Sequence, residues 1–141
     1  MNNLFHKSCF IGQKTEFYKM KLKKVSINEI SDNITKSCWN YNIQYEMILK
    51  DSHTLLIDLI GKEKEILLKY HKKDIITKND YEGFINYLEN YEIERGIYIT
   101  TGFFEKHIYD NLHKKVKKID VKKFIKNQPN IDKLSFLQYL P

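Results

Sequence analysis

The sequence predicts an α/β fold, a central mixed β-sheet flanked by helices, and three stretches carry that expectation. Residues 54–73, TLLIDLIGKEKEILLKYHKK, contain two aliphatic runs, 55–60 and 66–70, separated by the polar turn Gly61-Lys62-Glu63-Lys64. Short runs of that character read as a hairpin of strands buried on both faces. Further along, a helical stretch broken by Arg95-Gly96 leads into the β-branched run IYITT at 97–101. Strand, crossover helix and strand make a βαβ unit, so 65–71 and 97–101 are expected to be parallel neighbours. Ahead of the hairpin, Ser26-Ile27-Asn28-Glu29 has the form of a capping box, with Ile27, Ile30, Ile34 and Cys38 following at the spacing of an amphipathic helix.

In chain order, residues 1–12 show no clear period, and 13–24 can be helical with Phe17, Met20 and Lys24 on one side. The domain reading is therefore a lead-in with a first helix over 1–24 and a single domain over 25–141. A helix is expected over 27–39 and a strand over 43–49, closed by the turn Lys50-Asp51-Ser52-His53. The hairpin strands follow at 54–60 and 65–71. Asn79-Asp80-Tyr81-Glu82 offers a second capping box, and Tyr81, Phe84, Ile85 and Leu88 line one helical face. A short helix is expected over 103–112, a last strand over 116–120, a helical turn or two over 121–126, and a final short helix over 131–140 beyond Pro129.

The chain has 141 residues, 42% hydrophobic and 13% aromatic, which supports one folded domain rather than disorder. No apolar run approaches the roughly 20 residues that a membrane helix needs, so a soluble protein without a membrane partner is expected. Cys9 and Cys38 have no CxxC or His-paired spacing and fit free thiols of an intracellular protein. The first fifteen residues contain no acid, as a mitochondrial presequence requires, but they lack arginine; a sustained apolar core for a secretory signal is also missing. The compartment within the cell, cytoplasmic, nuclear or mitochondrial, is left open. A net charge of +6 suggests an anionic partner, nucleic acid first. A composition rich in Lys, Asn, Ile and Tyr with a single arginine, Arg95, is also what an AT-biased coding sequence yields.

Each hairpin run carries a charge at its middle, Asp58 in the first and Lys69 in the second. A buried ionised group costs several kcal/mol, roughly, unless it is paired or binds something. With the turn at 61–64, Ile60 faces Glu65, Asp58 faces Leu67 and Leu56 faces Lys69. Asp58 and Lys69 then project from the same side of the sheet. His71, two residues further on, shares that side, and its ordinary reading is an exposed strand end; His53, His107 and His113 show no metal spacing.

The blocks IDLIGKEKEILLKYHKK, RGIYITTGFFEKHI and KKIDVKKFIK, separated by a helix and a short segment, resemble the Mrr-like branch of the PD-(D/E)xK superfamily over residues 55–126. The resemblance implies a restriction-endonuclease-like sandwich and a metal-dependent DNA endonuclease that hydrolyses phosphodiester bonds with Mg²⁺ or Mn²⁺. It implies Asp58 as metal ligand and Lys69 as the catalytic lysine, with Thr100 and Thr101 as the Thr-Thr pair beside the site. The family often adds a glutamate from its first helix, for which Glu16 and Glu29 are the candidates. Many such nucleases cut two strands with two copies, which implies a homodimer. Lys72, Lys73, Lys114 and Lys115 are candidate phosphate contacts, with solvated lysines as the plain alternative.

The chain departs from the family pattern at Leu67, where an acidic residue or glutamine is expected, and at Leu55 and Leu56, where glycines precede the aspartate. Mg²⁺ is usually held by one or two carboxylates with water and phosphate. Glu65, one side-chain repeat toward the turn, is the alternative ligand. Two readings follow: an active nuclease, or a catalytically inactive restriction-endonuclease-like domain that binds nucleic acid or a protein. In the second, Asp58 and Lys69 would neutralise each other as a buried ion pair.

Overall fold

The computed structural model describes residues 15–109 and 114–141. The first helix, α1, covers residues 15–24, and α2 (Ile27–Asn40) begins two residues later. Then come β1 (Gln44–Lys50), β2 (Thr54–Ile60), β3 (Glu65–His71), β4 (Ile75–Ile76), α3 (Lys78–Asn90), β5 (Arg95–Thr100), β6 (Phe103–Phe104), β7 (Lys115–Ile119) and α4 (Val121–Lys126). A 3₁₀ turn, Leu137–Tyr139, lies near the end. The main sheet has the order β1-β2-β3-β5-β7, antiparallel across the first three strands and parallel from β3 to β7. The fold is α/β, as expected. The presequence reading, the period of residues 1–12, Cys9 and His113 fall outside the described residues.

Hairpin register is the expected one: Ile60 pairs with Glu65, Asp58 with Leu67 and Leu56 with Lys69. β2 is buried on both faces along all but its last residue. Its alternation divides the core in two. Leu55, Ile57 and Leu59 pack with Ile27, Ile30, Ile34 and Cys38 of α2 and with Phe124 and Phe136. Leu56, Leu67 and Tyr98 pack instead under Tyr81, Phe84, Ile85 and Leu88 of α3. Each helix therefore seals one face.

Both helix starts are capped, but not by the boxes expected: Ser26 accepts from the backbone N–H of Glu29 without the reciprocal bond of a box, and at α3 other residues take the places of Asn79 and Glu82. The α3 box uses Thr77 and Asp80, each side chain receiving the other's backbone N–H, so the cap lies two residues before Asn79. α1 ends under Lys72, whose Nζ donates to the carbonyls of Lys23 and Val25 at 3.1 and 2.9 Å, satisfying backbone acceptors that a helix end leaves open.

Two expected helices are absent. Within the helix expected over 103–112, Phe103 and Phe104 form β6, which pairs in parallel with Ile75 and Ile76 of β4. Phe103 N donates to Asp74 O at 2.8 Å and Glu105 N to Ile76 O at 2.9 Å, so those donors are used between segments rather than within a helix; residues 110–112 lie outside the description. Over 131–140 only the 3₁₀ turn forms. Side chains hold that backbone instead: Gln128 donates to Ser135 O and accepts from Ser135 N, and Asn130 Oδ1 accepts from Asp132 N. Among the described residues no helix is long and apolar enough to cross a membrane.

Candidate functional site

Asp58 lies on the α3 face of the sheet between two neighbours fixed by register, Glu46 of β1 and Leu67 of β3. It is only 5% exposed, and its Oδ1 has no hydrogen-bond partner. Glu65, further toward the hairpin turn, hydrogen-bonds its side chain. Burial, the Glu65 hydrogen bond and charge, and the Glu46 charge together push the Asp58 carboxyl up to about 7. Two carboxyl groups that touch share either one proton or one cation, because both cannot ionise beside each other cheaply.

An all-oxygen donor set of this kind suits a hard divalent cation. The orphaned Oδ1 of Asp58 and the carboxylate of Glu65 fit such an ion as ligands, while Glu46 acts on the pair through its charge. Among the described residues no three His, Cys, Asp or Glu side chains converge as a ready cage. The pair alone matches the usual protein share of a Mg²⁺ site, whose other ligands are water and phosphate.

Lys69 shares the face of Asp58 but does not turn to it, so the ion pair that the inactive reading implied between them is not formed. Its Nζ lies 5.0 Å from the centroid of the Tyr98 ring, on the neighbouring strand where Tyr98 is its register partner. Burial draws the ammonium below its ordinary pKa, partly opposed by Asp80. His71 is not an exposed strand end: it is half-buried, and its Nδ1 lies 2.7 Å from Tyr98 Oη. Burial and then the Lys69 charge lower its pKa to about 4. Asp80 is taken up by Lys73 Nζ at 2.6 Å and by Thr77. Burial alone would raise Asp80; those hydrogen bonds outweigh it and hold the carboxyl at about 2.

The remaining sequence candidates fall elsewhere. Glu29 is exposed on α2, which packs on the opposite face of the sheet from Asp58, and Glu16 is exposed on α1, whose Leu22 joins that same opposite core. Neither is brought to the carboxylate pair. Thr100 is buried and structural: its hydroxyl donates to Lys73 O at 3.0 Å and accepts from Gly102 N. Lys72, Lys73 and Thr101 do come together, lining a groove of about 410 Å³ with Lys23, Ser52, His53 and Asp74. Lys114 donates to Ile93 O at 3.0 Å and Lys115 pairs with Glu94 at 3.8 Å, apart from that groove.

Sequence reasoning missed Glu46 and Tyr98. Glu46 faces Asp58 only because β1 pairs with β2 in a register interrupted between Met47 and Leu49, and irregularities of that kind leave no mark in an alternation pattern. Tyr98 was visible as an aromatic residue in the middle of IYITT, opposite Lys69 once the parallel pairing is drawn. The cysteine expectation stands for Cys38, a buried free thiol. No family model, curated protein or solved structure matches this chain.

Proposed function

We propose that this chain is a metal-dependent DNA endonuclease of the restriction-endonuclease-like, Mrr-like type, with Asp58 and Glu65 as the ligands of Mg²⁺ or Mn²⁺. The observation that carries the reading is Glu65 reaching Asp58, whose second oxygen is buried without a partner. It supplies a second carboxylate where Leu67 removed one. The helix, three-stranded meander, helix and parallel strand around this pair have the element order the resemblance implies. When bound, the metal would stabilise developing charge on the phosphoryl group and acidify a water. Asp58 and Glu65 would hold it, and the groove at Lys72 and Lys73 would take flanking phosphates through a salt-dependent contact.

A second reading has its own support. Lys69 lies over the Tyr98 ring and not beside Asp58, so it is not placed to act on an attacking water at the carboxylate pair. That arrangement favours a non-cleaving domain that binds nucleic acid through the same fold. Calorimetric titration with Mn²⁺ and a plasmid-nicking assay separate the two. The nuclease reading expects Mn²⁺ binding that weakens about tenfold or more in Glu65→Gln, and nicking lost in Asp58→Ala and Lys69→Ala. Nicking that survives both alanine variants would sink the site, and Mn²⁺ binding without nicking would favour the second reading.

A further inference from the structure

Tyr98 joins two polar groups that the carboxylate pair does not use. It is fully buried, and its ring is fixed edge-on by Phe84 and Phe104 at 5.2 and 5.4 Å and stacked with Tyr81. That ring carries Lys69 Nζ on one side and stacks with His71 at 6.0 Å, while its hydroxyl meets His71 Nδ1 at 2.7 Å. A phenol is the stronger acid of this pair and a neutral imidazole nitrogen the stronger base, so the hydroxyl donates to Nδ1. The bond at one ring nitrogen decides the proton at the other. His71 therefore carries its proton on Nε2 and presents an N–H.

The charged groups acting on this imidazole are Lys69, Lys73, Asp80 and Asp51. Both acids are occupied: Asp80 by Lys73 and Thr77, and Asp51 by the backbone N–H groups of His53 and Thr54. Lys69 has no hydrogen-bond or ion-pair partner among the described residues. A half-buried ammonium and a fixed N–H, two residues apart on one face and without an acceptor, have the donor profile of an oxyanion site. They lie toward the carboxyl ends of the parallel strands β3 and β5, where ligands gather in open α/β sheets.

We propose that Lys69 Nζ and His71 Nε2 form a phosphate-binding subsite, with Tyr98 as its positioning residue. The proposal rests on the nuclease reading only for the source of the phosphate, a nucleic-acid backbone; capturing an oxyanion requires neither metal nor cleavage.

The test uses the full chain in EDTA at pH 7, with inorganic phosphate as the probe and long-range ¹⁵N NMR of the histidine rings as the readout. The expected result is His71 in the Nε2–H tautomer, with ring resonances that shift saturably on adding phosphate. Lys69→Gln should weaken that response about tenfold or more, the size of one charge-assisted hydrogen bond. Tyr98→Phe keeps the ring but frees Nδ1, so His71 should populate both tautomers and bind phosphate more weakly. Lys126→Gln, at the end of α4, controls for general loss of charge and should change nothing. An Nδ1–H tautomer in the unaltered protein overturns the proposal, as does a phosphate response that Lys69→Gln leaves intact or that Lys126→Gln weakens equally. If Tyr98→Phe unfolds, the tautomer and the Lys69→Gln result still decide. A normal phosphate response without metal-dependent nicking would refute the nuclease reading alone, and the converse would refute the subsite alone.

Discussion

Replacing Asp58 with asparagine should stabilise the metal-free protein at pH 8. A carboxyl whose pKa is higher in the fold than in the unfolded chain keeps its proton longer when folded. Its contribution is therefore full below the unfolded value and is lost as pH rises toward the folded value. For Asp58 those limits are 3.8 and about 7, and at about 1.4 kcal/mol per pH unit the interval sets an upper bound of about 4 kcal/mol. Asparagine keeps the shape of the protonated acid, and its Nδ2 can donate to Glu65 as the carboxyl proton does. Urea denaturation of both proteins from pH 4 to 8.5 measures the effect as a difference, which cancels the titration of every other group. That difference should be near zero at pH 4, grow in favour of asparagine through pH 5 and 6, and level off above pH 7. A flat difference, or a less stable Asp58→Asn at pH 8, would refute the placement of a buried Asp58 carboxyl in contact with that of Glu65. Adding Mn²⁺ extends the test. The cation competes with the proton, so it should stabilise the unaltered protein at pH 8, do so far less at pH 5, and leave Asp58→Asn unaffected.

Two further substitutions test the frame that holds the site. In Gly96→Ala the new Cβ would stand 2.7 and 2.8 Å from two ring carbons of Phe84, so α3 must lift from β5; overpacking of that kind costs about 1–3 kcal/mol, and an unchanged melting temperature would contradict the close approach. Ser26→Ala removes the acceptor that the Glu29 N–H uses at 3.1 Å, and thermal denaturation should show a loss of about 1 kcal/mol; Ser26→Asp should restore it, and failure to do so would mean that Ser26 acts otherwise than as a cap.

The hairpin was legible down to single residue pairs because a four-residue polar turn leaves only one way to align two apolar runs. The parallel pairing of β3 and β5 was legible too, since the intervening segment is long enough only for one crossover helix. Side-chain choice within that frame was not. Lys69 can reach toward Asp58 or toward Tyr98 from the same backbone position, and spacing does not distinguish the two. The pairing of Glu46 with Asp58 depends on an irregular β1, and the pairing of Phe103 and Phe104 with Ile75 and Ile76 depends on a return of the chain after Gly102. A Cβ on Gly102 would lie 2.0 Å from Asp74 O, so the two segments meet backbone to backbone. The apolar spacing of 103–112 carried no sign of that approach.

Leu67 accounts for the separation of the two hairpin charges. It is fully buried, has Asp58 as partner on one side and Gly96 on the other, and packs beneath α3. A carboxylate at that position would be sealed under the helix, whereas Glu65 at the mouth of the hairpin is exposed and still touches Asp58. Water at the mouth offsets part of the repulsion between the two acids, which makes position 65 the less costly place for the second one. Glu65 and Lys69 are four residues apart, about 13 Å along the strand, so the carboxylate at 65 does not neutralise the lysine. The ring of Tyr98 remains as its support, worth about 1 kcal/mol for a cation on an aromatic face, too little to compensate a half-buried ammonium. One leucine thus leaves an acidic pair in want of a cation and, two side-chain repeats away, a cation in want of an anion.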